Sequence, residues 1–239
     1  MRITENLFLL SGASFSAVGD VATLGEVYGI RTSEGIIVID CGAPKTGPAM
    51  LKETLASLNV HEPITHVILT HGHWDHAGGA KELQDAGAKI IVGAEDAIYC
   101  TNGGVKGMHS PFDDSQLFPA FIPEITISED SFLDINGLRF EFIKIPGHSP
   151  GSIAIHVEID GKTAIFTGDA LQPDGTLLEK VTLGWQGDPG FSKSDIVDSM
   201  MKLAKYETDI ILPGHGKICL RNGTKILRFA AQTAFLTMR

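Results

Sequence analysis

Four times along this chain an apolar run ends, one or two small or turn-forming residues follow, and a metal-capable side chain appears. Ile68-Leu69-Thr70 leads to His71 and Ile143-Lys144-Ile145-Pro146-Gly147 to His148. Ile165-Phe166-Thr167-Gly168 leads to Asp169, and Ile210-Ile211-Leu212-Pro213-Gly214 to His215. Ile36-Ile37-Val38-Ile39-Asp40 is a fifth instance with no spacer. Runs of this kind read as buried strands. Strand ends gathered along one edge of a sheet sandwich are how a rigid scaffold aims ligands at one point. Helical segments alternate with the strands and would cover the outer sheet faces, so the pattern calls for an α/β sandwich.

The densest instance is Thr70-His71-Gly72-His73-Trp74-Asp75-His76-Ala77-Gly78-Gly79. In an extended segment residues two apart point to the same side, so His71 and His73 can converge on one ion. The chain must then bend, because Ala77-Gly78-Gly79 opens a helix-like stretch with almost no side-chain bulk. Asp75 and His76 fall at the bend and project away from the first pair, which suits two adjacent ions. Imidazole nitrogen and carboxylate oxygen suit zinc and neighbouring first-row metals. The helical zinc pattern H-E-x-x-H is absent. His61, His66 and His156 lack a strand-end context and read as structural, whereas His109 falls in an unpatterned stretch open to substrate.

In chain order, strands are expected at Leu7–Leu10, Gly25–Ile30 and Gly35–Ile39, then a helix at Met50–Leu58 with Pro48 in its first turn. A strand at His66–Thr70 feeds the histidine-rich loop. A helix at Ala77–Ala86 is closed by Gly87, and a strand follows at Lys89–Gly93. Residues 101–123 have no periodicity, as expected of a functional loop. Strands return at Gly137–Ile145, Ser152–Ile159 and Lys162–Thr167. A second long connection covers Ala170–Gly190. Ser192 caps a helix at Lys193–Tyr206, ahead of a strand at Asp209–Leu212 and a last helix at Thr224–Leu236. No linker or low-complexity segment divides the 239 residues, so a single domain is expected.

The formal net charge of -10 argues against nucleic acid, whose phosphates call for clustered Lys and Arg. No apolar run is long enough to span a bilayer, and the N-terminus carries no signal-peptide pattern. Cys41, Cys100 and Cys219 are odd in number and widely spaced, as expected of reduced cytoplasmic thiols buried as small hydrophobes.

From about Leu7 to Gly216 these residues resemble the metallo-β-lactamase superfamily. Thr-His-Gly-His-Trp-Asp-His-Ala-Gly-Gly, Pro-Gly-His148, Thr-Gly-Asp169 and Pro-Gly-His215 occur in that family's order. The resemblance implies a four-layer αββα sandwich with metals at one edge of the two sheets. It implies two divalent metal ions, zinc foremost and iron or manganese as alternatives. His71, His73 and His148 would hold one ion, and Asp75, His76 and His215 the other, with Asp169 bridging. Asp40 would support a ligand from behind without binding metal. Such a pair of ions, roughly 3.5–4 Å apart, lowers the pKa of a shared water for attack on an acyl carbon. Asp75 could also orient that water or take its proton.

Within the family, Asp169 stands where β-lactamases usually carry Cys or Ser. His73 stands where flavodiiron proteins place Glu. The Trp-Asp-His-Ala-Gly-Gly run is closest to glyoxalase II-type thioesterases, but the stretch after His215 suffices for one helix only. Thioester and lactone hydrolysis are therefore the expected activities, on a small-molecule substrate. The alternative is a mononuclear iron persulfide dioxygenase using His71, His148 and Asp169; a non-catalytic binding protein is a third reading that the full ligand set disfavours. Phe112, Phe118, Phe121 and Trp185 suggest a partly apolar pocket, and loop aromatics would equally suit a homodimer contact.

Overall fold

The computed structural model describes residues 1–12, 24–104, 118–174 and 180–238. His109 and Phe112 lie outside the described residues. By its internal contacts the chain divides into two compact units, Met1–Thr126 and Ile127–Arg239.

The first unit is built on a six-stranded sheet ordered β1-β2-β3-β4-β5-β6. Strands β1 (Leu7–Ser11), β2 (Val27–Thr32) and β3 (Gly35–Ile39) form an antiparallel meander. β4 (Ile64–Ile68) and β5 (Lys89–Gly93) continue it in parallel, and β6 (Ile125–Ile127) closes the edge at the boundary between units. Parallel neighbours need crossover connections. These are helix α1 (Thr46–Ser57), between β3 and β4, and helices α2 (Trp74–Ala77) and α3 (Ala80–Asp85), between β4 and β5. After β5 a 3₁₀ turn at Ala94–Asp96 leads into α4 (Ala97–Asn102). Ile36, Val38, Val67, Ile90 and Val92 pack in one cluster with Leu51 and Leu55 of α1. Ile37, Ile39, Ile68 and Ile91 alternate with them and are equally buried, so the central strands are apolar on both faces.

The second unit holds a five-stranded sheet ordered β13-β10-β9-β8-β7. β7 (Ser131–Ile135), β8 (Leu138–Lys144), β9 (Ile153–Ile159) and β10 (Lys162–Gly168) are antiparallel. Two of their hairpins turn on Asn136-Gly137 and Asp160-Gly161, all four residues at positive φ, the two-residue turns whose twist matches that of the strands. A ribbon of β11 (Leu171–Pro173) and β12 (Val181–Leu183) precedes α5 (Lys193–Leu203). α5 is the crossover to β13 (Ile210–Pro213), which is parallel to β10. Ser192 caps α5 as expected, its hydroxyl accepting from Asp195 N at 3.3 Å. Ile196, Met200 and Leu203 of α5 pack with Ile226, Leu227 and Ala230 of α6 (Gly223–Thr237) in one cluster with Ile143, Ile165 and Ile211.

The expected strands are all present within a few residues, and β6, β7, α4 and the ribbon come in addition to them. The sequence signal for β7 was Asn136-Gly137, standing directly between two apolar runs. Phe118 and Phe121 pack in the first unit's core, ring centroids 6.0 Å apart, and are not pocket walls. No helix among the described residues is long and apolar enough to cross a membrane.

All three cysteines are free and buried. Burial pushes the Cys100 thiol up to about 12 and the Cys219 thiol up to about 11 from an ordinary 9.0. Folding then binds these protons more tightly, so the stabilisation is complete below pH 9 and is lost as pH rises from 9 toward 11–12. Two outcomes are expected: no thiol reacts with a disulfide reagent at pH 7.5 until denaturant is added, when three do, and the urea midpoint falls as pH rises above 9.

Candidate metal centre

In the first unit, β4 ends at Ile68 and the chain stays paired through Leu69, whose N–H donates to Ile91 O at 2.8 Å. Thr70, His71 and His73 follow in sequence, and α2 starts at Trp74 with His73 as its N-terminal flank. The helix begins earlier than the glycines suggested, so Asp75 and His76 lie within its single turn and not at a bend before it. His71 stays in the preceding loop, with a ligand nitrogen within 4.8 Å of those of His73 and of His76. His76 Nε2 lies 3.6 Å from Asp75 Oδ2. Trp74 packs on the hydrophobic core, holding the loop from beneath.

What aligns this cluster is the end of β3. Asp40 adopts a left-handed backbone at φ 56°, its N–H donating to Ile68 O at 2.9 Å. Cys41 N then donates to His76 O and Gly79 N to Gly42 O, which lays the segment after β3 along α2. A Cβ at Gly79 would sit 2.6 Å from Cys41 O, so only glycine allows this approach. The buried Asp40 carboxylate is thereby placed to accept three hydrogen bonds. They come from Thr70 N (2.7 Å), the Thr70 hydroxyl (2.8 Å) and His76 Nδ1–H (2.8 Å). Because the Thr70 hydroxyl donates to Asp40, its oxygen accepts from His71 Nδ1 at 3.0 Å. Both imidazoles therefore carry their proton on Nδ1 and turn the Nε2 lone pair to the cluster.

Sequence reasoning missed three further supports. Asp96, buried after β5, accepts Gly72 N–H at 2.8 Å and fixes the loop between His71 and His73. Tyr99 stacks along His73 at 6.4 Å and 21°. Gly25 packs on His76, where a Cβ would meet the ring at 2.6 Å. The signal for Asp96 was available: it follows the apolar strand Lys89–Gly93 much as the other candidates follow theirs.

The second unit has three such strand ends of its own. Gly147, at φ 133° and tight against Ile196, turns the chain after β8 toward His148. β10 and β13 are parallel with Gly168 opposite Pro213, so the residues just beyond them, Asp169 and His215, emerge side by side. Gly214 N donates to Gly168 O at 2.7 Å and locks this register. Asp169 Oδ2 lies 3.4 Å from His215 Nε2 and 3.6 Å from His148 Nε2. His148 donates Nδ1–H to Trp185 O at 3.1 Å, leaving Nε2 for the side of Asp169. His148 and Asp169 are buried and His215 is partly so.

The donor set fits a metal on geometric grounds. Donor atoms sharing a tetrahedral ion at about 2.0–2.1 Å stand about 3.4 Å apart. The nitrogen-to-oxygen separations within each unit, 3.4–3.6 Å, match that edge and exceed ordinary hydrogen-bond lengths. Buried carboxylates without such a partner would be costly. His61, His66 and His156 are occupied elsewhere, against Asn59, Thr65 and Glu141.

Replacing Asp40 by Asn would turn an amide N–H₂ toward one of the donors that the carboxylate now accepts, and His76 could keep its contact only by exposing Nε2–H to the cluster. Asp40→Asn is expected to weaken metal retention by about 10–100-fold, measured by competition with a chromophoric chelator; unchanged affinity would refute the orienting role.

The comparisons with known proteins follow the same lines. The family model of the metallo-beta-lactamase superfamily matches residues 23–215. The chain is 27% identical over 239 residues to the probable metallo-hydrolase YflN of Bacillus subtilis, covering 86% of this chain and 87% of that one. It is 30% identical over 153 residues to the hydroxyacylglutathione hydrolase GloC of Haemophilus influenzae, covering 63% and 68%. Among solved structures, a metallo-beta-lactamase of Cronobacter sakazakii with an HARLDQ motif shares the fold, with a TM-score of 0.71 at 22% identity over 89% of this chain and 86% of that one. The chain belongs to the metallo-beta-lactamase superfamily and is a metal-dependent hydrolase.

Proposed function

We propose that this protein is a dinuclear hydrolase that cleaves the acyl bond of a small ester-type substrate, a thioester or a lactone. In this reading His71, His73 and His148 serve one ion, Asp75, His76 and His215 the other, and Asp169 both. The observation that carries it is the position of Asp169 Oδ2, one coordination edge from two different histidines, as a bridging carboxylate requires. The thioester preference draws on the hydroxyacylglutathione hydrolase relative, whose named substrate is a glutathione thioester. Asp169 in place of the Cys or Ser usual in β-lactamases points away from antibiotic hydrolysis. Zinc suits the nitrogen and oxygen donors, with iron or manganese as alternatives. A small-molecule substrate and a cytoplasmic setting complete the reading.

When bound, the ions would supply Lewis acidity, polarising the acyl oxygen and making water a nucleophile near neutral pH. The chain's own groups do the positioning. Asp40 and the Thr70 hydroxyl hold His76 and His71 in one tautomer, and the Trp185 carbonyl does so for His148. In this reading Asp75, in the first turn of α2, also orients the attacking water and receives its proton. No serine or cysteine nucleophile takes part.

Elemental analysis of the purified protein, paired with Asp75→Ala, tests the two-metal reading. About two zinc ions per chain are expected, falling toward one in the variant. Roughly one iron per chain, unchanged in the variant and accompanied by oxygen uptake on a persulfide, would overturn it. Asp75→Asn is expected to lower kcat on thioesters or lactones by about 10²–10⁴-fold; near-normal turnover at unchanged metal content would remove the proton-handling role.

A further inference from the structure

Gly72 stands between His71 and His73, and the segment after β5 grips it at more than one point. Its N–H donates to Asp96 Oδ2 at 2.8 Å, and Asp96 is wholly buried. A Cβ at Gly72 would lie 3.0 Å from Tyr99 Cβ and Cδ2 and 3.2 Å from Asp96 O, so the segment closes tightly on the glycine. The Tyr99 ring then runs along the His73 imidazole, centroids 6.4 Å apart with 21° between the planes. His76 is seated by other groups. Asp40 takes its Nδ1–H, Cys41 N donates to its carbonyl, and Gly25 lies against its ring. The first unit thus carries two sets of supports, one for the His71-Gly72-His73 stretch and one for α2. His71 leans on both, through Gly72 and through Thr70.

Glycine has the most backbone freedom to lose. Left loose, Gly72 would let the two imidazoles separate, and an ion joining them would have to order the turn as it binds. A hydrogen bond to a carboxylate is charge-assisted, and the low dielectric around buried Asp96 strengthens it further. Resting on the two-metal reading above, we propose that Asp96 is a positioning residue for the ion shared by His71 and His73. It sets the turn between them before metal arrives and leaves the ion of Asp75 and His76 to its own supports.

The test is the zinc affinity of each ion alone, measured by competition with a chromophoric chelator. In an Asp75→Ala background, which keeps the ion of His71 and His73, adding Asp96→Ala is expected to raise the zinc Kd about 10–100-fold. Adding Asp96→Asn, whose amide oxygen can still accept from Gly72, is expected to leave it largely unchanged. In a His73→Ala background, which keeps the other ion, Asp96→Ala is expected to have no effect. Loaded with cobalt, the Asp75→Ala protein is expected to show visible d–d bands that shift with Asp96→Ala and not with Asp96→Asn. Equal loss in both backgrounds would mean general loosening and would overturn the proposal, as would no loss in either, or Asn behaving as Ala. Where Asp96→Ala does not fold, the Gly72 amide of the metal-stripped parent decides: slow hydrogen exchange is expected, and exchange as fast as in an unfolded chain would refute the preset turn. Failure of the two-metal reading looks different. The parent then binds one ion, Asp75→Ala leaves its Kd unchanged, and Asp96 is judged on that ion by the same comparison of Ala with Asn.

Discussion

A neutral imidazole has one N–H and one lone pair, and a buried histidine can face a metal only if the protein takes its proton on the other nitrogen. His76 gives Nδ1–H to Asp40, His71 gives it to the Thr70 hydroxyl, and His148 gives it to Trp185 O. Two of these three trace back to one carboxylate, because the Thr70 hydroxyl can accept from His71 only while it donates to Asp40. Asp40 is thus the anchor of the first unit's cluster, although it offers no donor to the ligand group itself.

Strand pairing supplies what hydrogen bonds alone could not. Parallel pairing of β10 with β13 makes their ends emerge together, so Asp169 and His215 reach the same point from 46 residues apart in sequence without a dedicated loop to hold them. Parallel pairing of β3 with β4 likewise sets Asp40 beside Thr70. Glycine lets the backbones close the remaining gaps. Gly25, Gly79 and Gly184 each occupy a place where a single methyl group would strike a ligand residue or the segment that supports one.

The two units support their candidate ligands differently. In the second, Asp169 and His215 follow strands whose final residues are buried, and His148 follows a turn at Gly147 after β8. In the first, Asp75 and His76 ride on a four-residue helix that depends on Asp40 and Gly79 for its seat.

The sequence by itself determined the strand-end pattern and the residue types at His71, His73, Asp75, His76, His148, Asp169 and His215, since apolar periodicity and adjacent turn residues are local properties. It also made Asp40, the Ser192 cap and the alternation of helices with strands legible. It did not determine that α2 starts at Trp74, because helix onset there is set by Asp40, Cys41 and Gly42 folding back through contacts 35–37 residues apart in sequence. Tyr99, Gly25, Gly184 and the Trp185 carbonyl became visible only in the tertiary structure. Each acts through a contact distant in sequence, and a carbonyl or a missing Cβ carries no signature in a string of residue names. Phe118 and Phe121 show the same limit from the other side: an aromatic in an unpatterned stretch reads alike whether it lines a pocket or fills a core, and packing decided for the core.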